Sequence, residues 1–161
     1  LPEARFVHLI RDGRDAAVSL RRQWFSPGSG IAEQARYWRD NVAAAIAQST
    51  QVAHYLELRF EDLVRDPEPQ LRRVCDFIEI DFDAAMLRHD EHAAERIGEH
   101  TGRELADGRR LSAEARRRQQ ATSVHPPDAA RIGAWKSLLE ASEQAEFARE
   151  AGVLLRQLGY D

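Results

Sequence analysis

Phe6-Val-His-Leu-Ile-Arg-Asp-Gly-Arg-Asp-Ala-Ala-Val-Ser19 is the stretch from which the rest of the chain can be read. Its first five residues form a nearly continuous apolar run that Arg11-Asp12-Gly13 interrupts at once, the pattern of a buried parallel strand entering a turn. A helix is expected next. Between Asp15 and Phe25, Ala16, Leu20 and Trp24 keep one face apolar, and Pro27-Gly28-Ser29-Gly30 then breaks the pattern. Arg11 thus leaves the carboxyl end of a strand, Gly13 permits a tight turn, and the first helical turn offers unpaired N–H groups with a partial positive charge. Together these outline an anion site. Helical side chains lean toward the N-terminus, so the Ser19 hydroxyl would reach back to an anion there, and Arg11 and Ser19 would hold one phosphate from two sides. The plainer alternative pairs Arg11 with Asp12 or Asp15 and leaves Ser19 an ordinary helix residue.

Outward from this stretch, Ile31, Ala35, Trp38, Val42 and Ile46 recur at helical intervals and predict the strongest helix, ending near Thr50. His54 to Phe60 alternates Leu56, Leu58 and Phe60 against Glu57 and Arg59, a second strand with Phe60 in its core. Asp66-Pro67 opens a helix whose stripe is Leu71, Val74, Cys75 and Ile78. Asp83 caps a short helix carrying Met86 and Leu87. From His89 to Ala130 the hydrophobic signal fades, which predicts a mobile excursion or an exposed helix pair. Ser142 is expected to cap a last helix burying Phe147, Ala151, Leu154, Leu155 and Leu158, stopped by Gly159. Strand, helix, helix, strand, helix is an α/β order with parallel strands, and such folds bind ligands at the carboxyl ends of strands.

The composition of the 161 residues narrows the function. One cysteine, Cys75, excludes an intrachain disulfide and a cysteine-built zinc site. No apolar run is long enough for a membrane span and no signal peptide opens the chain, so a cytoplasmic protein is expected. A formal charge of −4 argues against general nucleic-acid binding and makes any anion site local. The basic residues are 22 Arg and one Lys, Lys136, a bias that suggests a GC-rich bacterial genome. Arg is the better phosphate partner, because its planar fork donates two parallel hydrogen bonds.

The opening stretch resembles the 3′-phosphate-binding segment of sulfotransferases that use 3′-phosphoadenosine-5′-phosphosulfate (PAPS). In that family an Arg at the strand end and a Ser eight residues later hold the nucleotide's 3′-phosphate, the spacing of Arg11 and Ser19. Arg59-Phe-Glu-Asp-Leu-Val-Arg-Asp-Pro67, followed by Leu71 to Ile78, is similar to the family's "YEDL…DP…L…FL" block. Arg131-Ile-Gly-Ala-Trp-Lys136, with Phe147 and Leu158-Gly-Tyr160, resembles its C-terminal "G-W" segment, whose loop approaches the nucleotide. The resemblance implies a P-loop NTPase-like parallel sheet flanked by helices, incomplete here: the family's upstream strand and phosphosulfate-binding loop are absent, and the chain opens at Leu1, with Met86 its one methionine. It divides the chain into a 3′-phosphate-binding part (1–88), a variable exposed segment (89–130) and a C-terminal nucleotide-side loop and helix (131–161).

The activity so implied is transfer of a sulfonate group from PAPS to an acceptor hydroxyl or amine, without a metal. Arg11 and Ser19 would bind the cosubstrate and Arg131 and Gly133 would close over it. No catalytic residue is assigned, and this chain would be inactive alone. The acceptor would be a small molecule or carbohydrate. Where the family often has Tyr beside the adenine, this sequence has Phe60, which cannot offer a hydroxyl. An incomplete sheet should leave an exposed edge or apolar face, hence self-association.

Other constellations carry less. Ser26-Pro-Gly-Ser-Gly30 follows a helix, lacks Lys, Arg or Thr, and reads as an interhelical turn rather than a phosphate loop. His89-Asp90-Glu91-His92 lacks a third ligand at metal spacing. Arg116-Arg-Arg118 reads as a solvated helical face, Trp135 as a packing anchor, and His8 as a hydrogen-bonded core residue. Two alternatives stand beside the sulfotransferase reading: a nucleotide-binding or interaction module without catalysis, and an Arg-rich binding protein acting through residues 109 to 118.

Overall fold

A computed structural model describes residues 2–21, 23, 25–104, 108–120 and 124–160. The order is β1 (Arg5–Ile10), α1 (Gly13–Leu20), α2 (Ile31–Ser49), β2 (His54–Arg59), α3 (Phe60–Arg65), α4 (Pro67–Ile78), α5 (Ala93–Gly98), β3 (Arg103–Glu104), β4 (Arg110–Leu111), α6 (Ala113–Gln119), α7 (Trp135–Leu138) and α8 (Ala141–Gln157). Two units result, one of residues 1–80 with 129–161 and one of residues 81–128.

In the larger unit β1 and β2 pair in parallel, with Phe6 opposite Tyr55 and Ile10 opposite Arg59. The expected αβ order therefore holds. α1 packs on α2, α2 on α8, and α4 against both strands. The core gathers Ile10, Ala17, Ile31, Ala35, Trp38 and Val42 with Phe147, Ala151 and Leu155 of α8. Trp38 anchors it twice: its ring is tilted against Phe147 with centroids 6.2 Å apart, and its indole N–H donates to the Arg11 carbonyl at 3.1 Å. Cys75 is buried in α4, as its stripe position predicts.

Several expectations are corrected. β1 is not buried along its length, because among the described residues it pairs only with β2, and Phe6, Val7 and Leu9 are 42–46% exposed. This is the surface on which the self-association expected from the sequence would act. His8 is half-buried and hydrogen-bonded to the Tyr55 hydroxyl, and burial lowers its pKa. α1 starts at Gly13 and stops at Leu20, well short of Phe25, and Trp24 lies outside the described residues. Phe60 does not end β2 but begins α3, where Glu61 turns inward. The N-cap of α8 is Glu140 rather than Ser142, and its N–H donates to Glu143 Oε2 at 3.0 Å.

The smaller unit holds a 3₁₀ segment (Ala84–His92) capped by Asp83, then α5, the β3–β4 hairpin and α6. Its arginines serve its own turns. Arg116 donates to the Thr101 carbonyl at 2.7 Å, Arg117 to that of Gly98 at 3.4 Å, and Arg118 pairs with Glu114 at 2.8 Å. Among the described residues no three His, Cys, Asp or Glu gather as metal ligands, and no helix is long and apolar enough to cross a membrane.

Gly13 is required by close approach: a Cβ there would stand 2.5 Å from the Trp38 ring. Gly13→Ala is expected to lower unfolding stability by about 1–3 kcal/mol, the range for overpacking a filled core, measured by urea denaturation.

Candidate functional site

The site is built where β1 ends. The carboxylate of Asp12 caps α1 by accepting the Arg14 N–H at 2.9 Å, and the Arg14 side chain returns to the same carboxylate through Nε at 3.0 Å and Nη2 at 2.8 Å. Both side chains are nearly buried, so this pair is shielded from solvent. The positive end of α1 thus already holds a negative charge of its own. The backbone of Asp12 is fixed from a third direction, its N–H donating to Glu61 Oε1 at 2.9 Å.

Asp15, 2% exposed, reaches the C-terminal segment. Its Oδ2 accepts the Gly133 N–H at 2.7 Å and its Oδ1 the Trp135 N–H at 2.9 Å. A single carboxylate so satisfies two backbone donors, one of them at the start of α7, where no intrahelical acceptor exists. Gly133 has φ 76°, a left-handed conformation that glycine adopts without strain. The Arg14 guanidinium lies 3.8 Å above the Trp135 ring and covers the joint. Trp135 is buried, the packing anchor its spacing suggested.

Tyr160 closes the far side. Its hydroxyl lies 3.0 Å from Glu61 Oε2 and 3.3 Å from the Ile10 carbonyl, one proton facing two acceptors. Burial, then the Glu61 carboxylate, push the phenol well above its ordinary range.

Arg11 occupies what remains. It does not pair with Asp12 or Asp15, since Arg14 takes the first and backbone amides the second. Its Nη2 donates to the Arg131 carbonyl at 3.1 Å, and its guanidinium lies 4.6 Å above the Phe60 ring. Its Nε is buried with no hydrogen-bond partner among the described residues. Phe60 is therefore the platform for Arg11. Arg131, at the end of a 3₁₀ turn (Ala129–Arg131), meets Arg11 through its backbone, and its side chain is exposed. Ser19 is exposed on the last turn of α1, and no hydrogen bond among the described residues joins it to Arg11. Arg11 and Arg131 meet directly, and Asp15 ties Gly133 to the start of α1. Ser26 to Gly30 is an interhelical turn held by Ser26 Oγ donating to the Gly28 carbonyl at 2.7 Å.

The three sequence blocks singled out above are in this way tied to one another by buried polar contacts. The profile of the Sulfotransferase family matches residues 1–84, a span that includes the first two blocks. The chain belongs to the sulfotransferase family. It is 28% identical over 165 aligned residues to protein-tyrosine sulfotransferase 1 of Danio rerio, a match covering 99% of this chain and 43% of that protein. It is also 28% identical over 96 residues to protein-tyrosine sulfotransferase A of Caenorhabditis elegans, covering 56% of this chain and 25% of that one. The chain spans less than half the length of these curated relatives. Within this sulfotransferase segment, sequence reading missed Asp15, Glu61 and Tyr160 as the buried connectors. The signal for Asp15 was a carboxylate set directly beside Ala16 and Ala17 at the start of an apolar helical stripe.

The raised phenol of Tyr160 has a pH consequence. A group whose pKa is higher folded than unfolded contributes stability below its unfolded pKa, about 10 for tyrosine, and loses it as pH rises further. Unfolding free energy is therefore expected to decline above about pH 10, and Tyr160→Phe to flatten that decline while leaving the part due to Tyr55, also raised by burial. Urea titrations of both proteins across the alkaline range measure it.

Proposed function

We propose that this chain supplies the nucleotide-holding part of a sulfotransferase that transfers a sulfonate group from PAPS to an acceptor hydroxyl or amine. The observation that carries this reading is the charge left on Arg11. Two carboxylates lie within four residues of it, and both are committed elsewhere, so the guanidinium stands at the end of β1 held by a ring and a carbonyl. Neither neutralises it. A buried, unpartnered Nε adds an unused donor. A phosphate dianion is the complement such a group takes, through charge-assisted and bidentate hydrogen bonds.

In this reading the chain is the strand-end part of a P-loop NTPase-like sheet, and Arg11 grips the 3′-phosphate of the nucleotide. Ser19 would donate its hydroxyl from the other end of α1. Arg131 and the Gly133 turn would border the nucleotide from the opposite side, their positions fixed by Asp15. PAPS supplies the chemistry: the sulfonate leaves the 5′-phosphate oxygen for the acceptor oxygen or nitrogen, and the acceptor proton passes to a base. The residues of this chain do none of that bond making. They bind and orient, which lowers the barrier by removing the entropy of alignment. The named acceptor of the relatives, a protein tyrosine, offers a hydroxyl of the required kind, as would a small molecule or carbohydrate.

Calorimetry with 3′,5′-adenosine bisphosphate tests the assignment. Arg11→Ala is expected to weaken binding roughly 10- to 100-fold, the loss of a charge-assisted pair worth about 1.5–3 kcal/mol, and Ser19→Ala to weaken it less. Equal affinity of wild type and a folded Arg11→Ala protein would contradict it.

A further inference from the structure

Behind the joint of α1 and the C-terminal segment lies a second feature that the nucleotide reading does not use. A cleft of about 240 Å³ opens between the β2–α3 junction, the Gly133 turn and the chain end at Tyr160. Its lining includes four cations, Arg14, Arg59, Arg65 and Lys136, and three carboxylates, Asp12, Asp15 and Glu61. Arg11, Phe60 and Ser19 are not among its walls, and of the candidate nucleotide-holding residues it shares only the Gly133 turn.

The four cations exceed the three carboxylates by one charge, and each carboxylate is already held by donors of the protein itself. Asp12 is taken by Arg14, Asp15 by the amides of Gly133 and Trp135, and Glu61 by the Asp12 amide and the Tyr160 hydroxyl. Each is buried and satisfied. Arg59, by contrast, lies 4.2 Å over the Tyr160 ring and donates to the Gly159 carbonyl at 3.4 Å, while its Nε is buried without a hydrogen-bond partner among the described residues. Arg65 and Lys136 stand at the rim. Among the described residues none of these three has an ion pair, in a chain whose surface otherwise pairs many of its arginines. Arg59, Arg65 and Lys136 thus line a small polar cleft whose charged side chains leave one net positive charge over a rigid floor.

We propose that this cleft is a second oxyanion site, taking one compact tetrahedral group: phosphate or sulfate, free or as a monoester. The volume admits such a group with its first waters, and one half-buried and two exposed cations offer it charge-assisted donors while the carboxylates are turned to donors of the protein. Arg59 would supply the fixed contact from beside Tyr160, and Arg65 and Lys136 would swing in from the rim.

The test uses the full chain carrying Arg11→Ala, so that the nucleotide site cannot report. Inorganic phosphate and phenyl phosphate are titrated separately by calorimetry, with the Trp135 indole N–H followed by NMR. Saturable binding of either is expected, with a shift of the Trp135 resonance, and the added pair Arg65→Ala and Lys136→Ala should weaken it at least tenfold. Preference between the two ligands distinguishes a free ion from a monoester. With Arg11 intact, Arg65→Ala and Lys136→Ala should leave adenosine bisphosphate binding at its wild-type affinity. No saturable binding to the Arg11→Ala chain, or equal binding with and without the two rim cations, overturns the proposal. Either result would leave the nucleotide assignment standing.

Discussion

The carboxylate of Asp15 is the constraint on which the rest depends. It is removed from water, and its two oxygens are met by the amides of Gly133 and Trp135, residues far away in the chain. A backbone amide at the first turn of a helix has no partner of its own, and a buried one left bare costs about 1–3 kcal/mol. Asp15 satisfies two such donors at once and so fixes the C-terminal loop against the start of α1. Glu61 and Tyr160 repeat the device one layer over, tying the β2–α3 junction and the chain end to the backbone of Ile10 and Asp12. Loops that would otherwise move independently are held to the end of one strand.

These contacts also decide the electrostatics. α1 begins among two aspartates and two arginines just after β1, a sequence in which almost any pairing is conceivable. Asp12 is chelated by Arg14, which stacks in turn on Trp135. With Asp15 given to amides, Arg11 is left without a carboxylate among the described residues. Its position is nevertheless fixed, by the Phe60 ring beneath it and the Arg131 carbonyl beside it. A charge that is held in place but not neutralised is preorganised for an anion, and the positioning is prepaid by packing rather than by the ligand.

Much of this was legible in the sequence because it is local. The apolar run from Phe6 to Ile10, the break at Gly13 and the spacing of Arg11 and Ser19 can be read without knowing what the strand meets. The helical stripes of α2, α4 and α8 are equally local, since a period of three to four residues is a property of one segment. What escaped was set by distant partners. Phe60 continues the alternation of Leu56 and Leu58, yet the buried acceptor demand of the Asp12 amide draws Glu61 inward and starts a helix there. The exposure of Phe6, Val7 and Leu9 could not follow from their own apolarity, because it depends on what lies against β1. Asp15 and Glu61 looked like ordinary surface carboxylates for the same reason.

Family membership and the coverage of less than half of each relative fit a segment whose internal joints are complete although its sheet presents apolar surface. The account stands on the claim that Asp15 holds the C-terminal loop in place, and amide hydrogen exchange reads that claim directly. In the wild-type chain the Gly133 and Trp135 amides should exchange as slowly as the core amides of α2, opening only with global unfolding. Asp15→Asn, whose side chain has a single acceptor oxygen, should speed at least one of them by tenfold or more while α2 stays protected. Fast exchange of both amides in the wild type, or unchanged exchange in the variant, would contradict it.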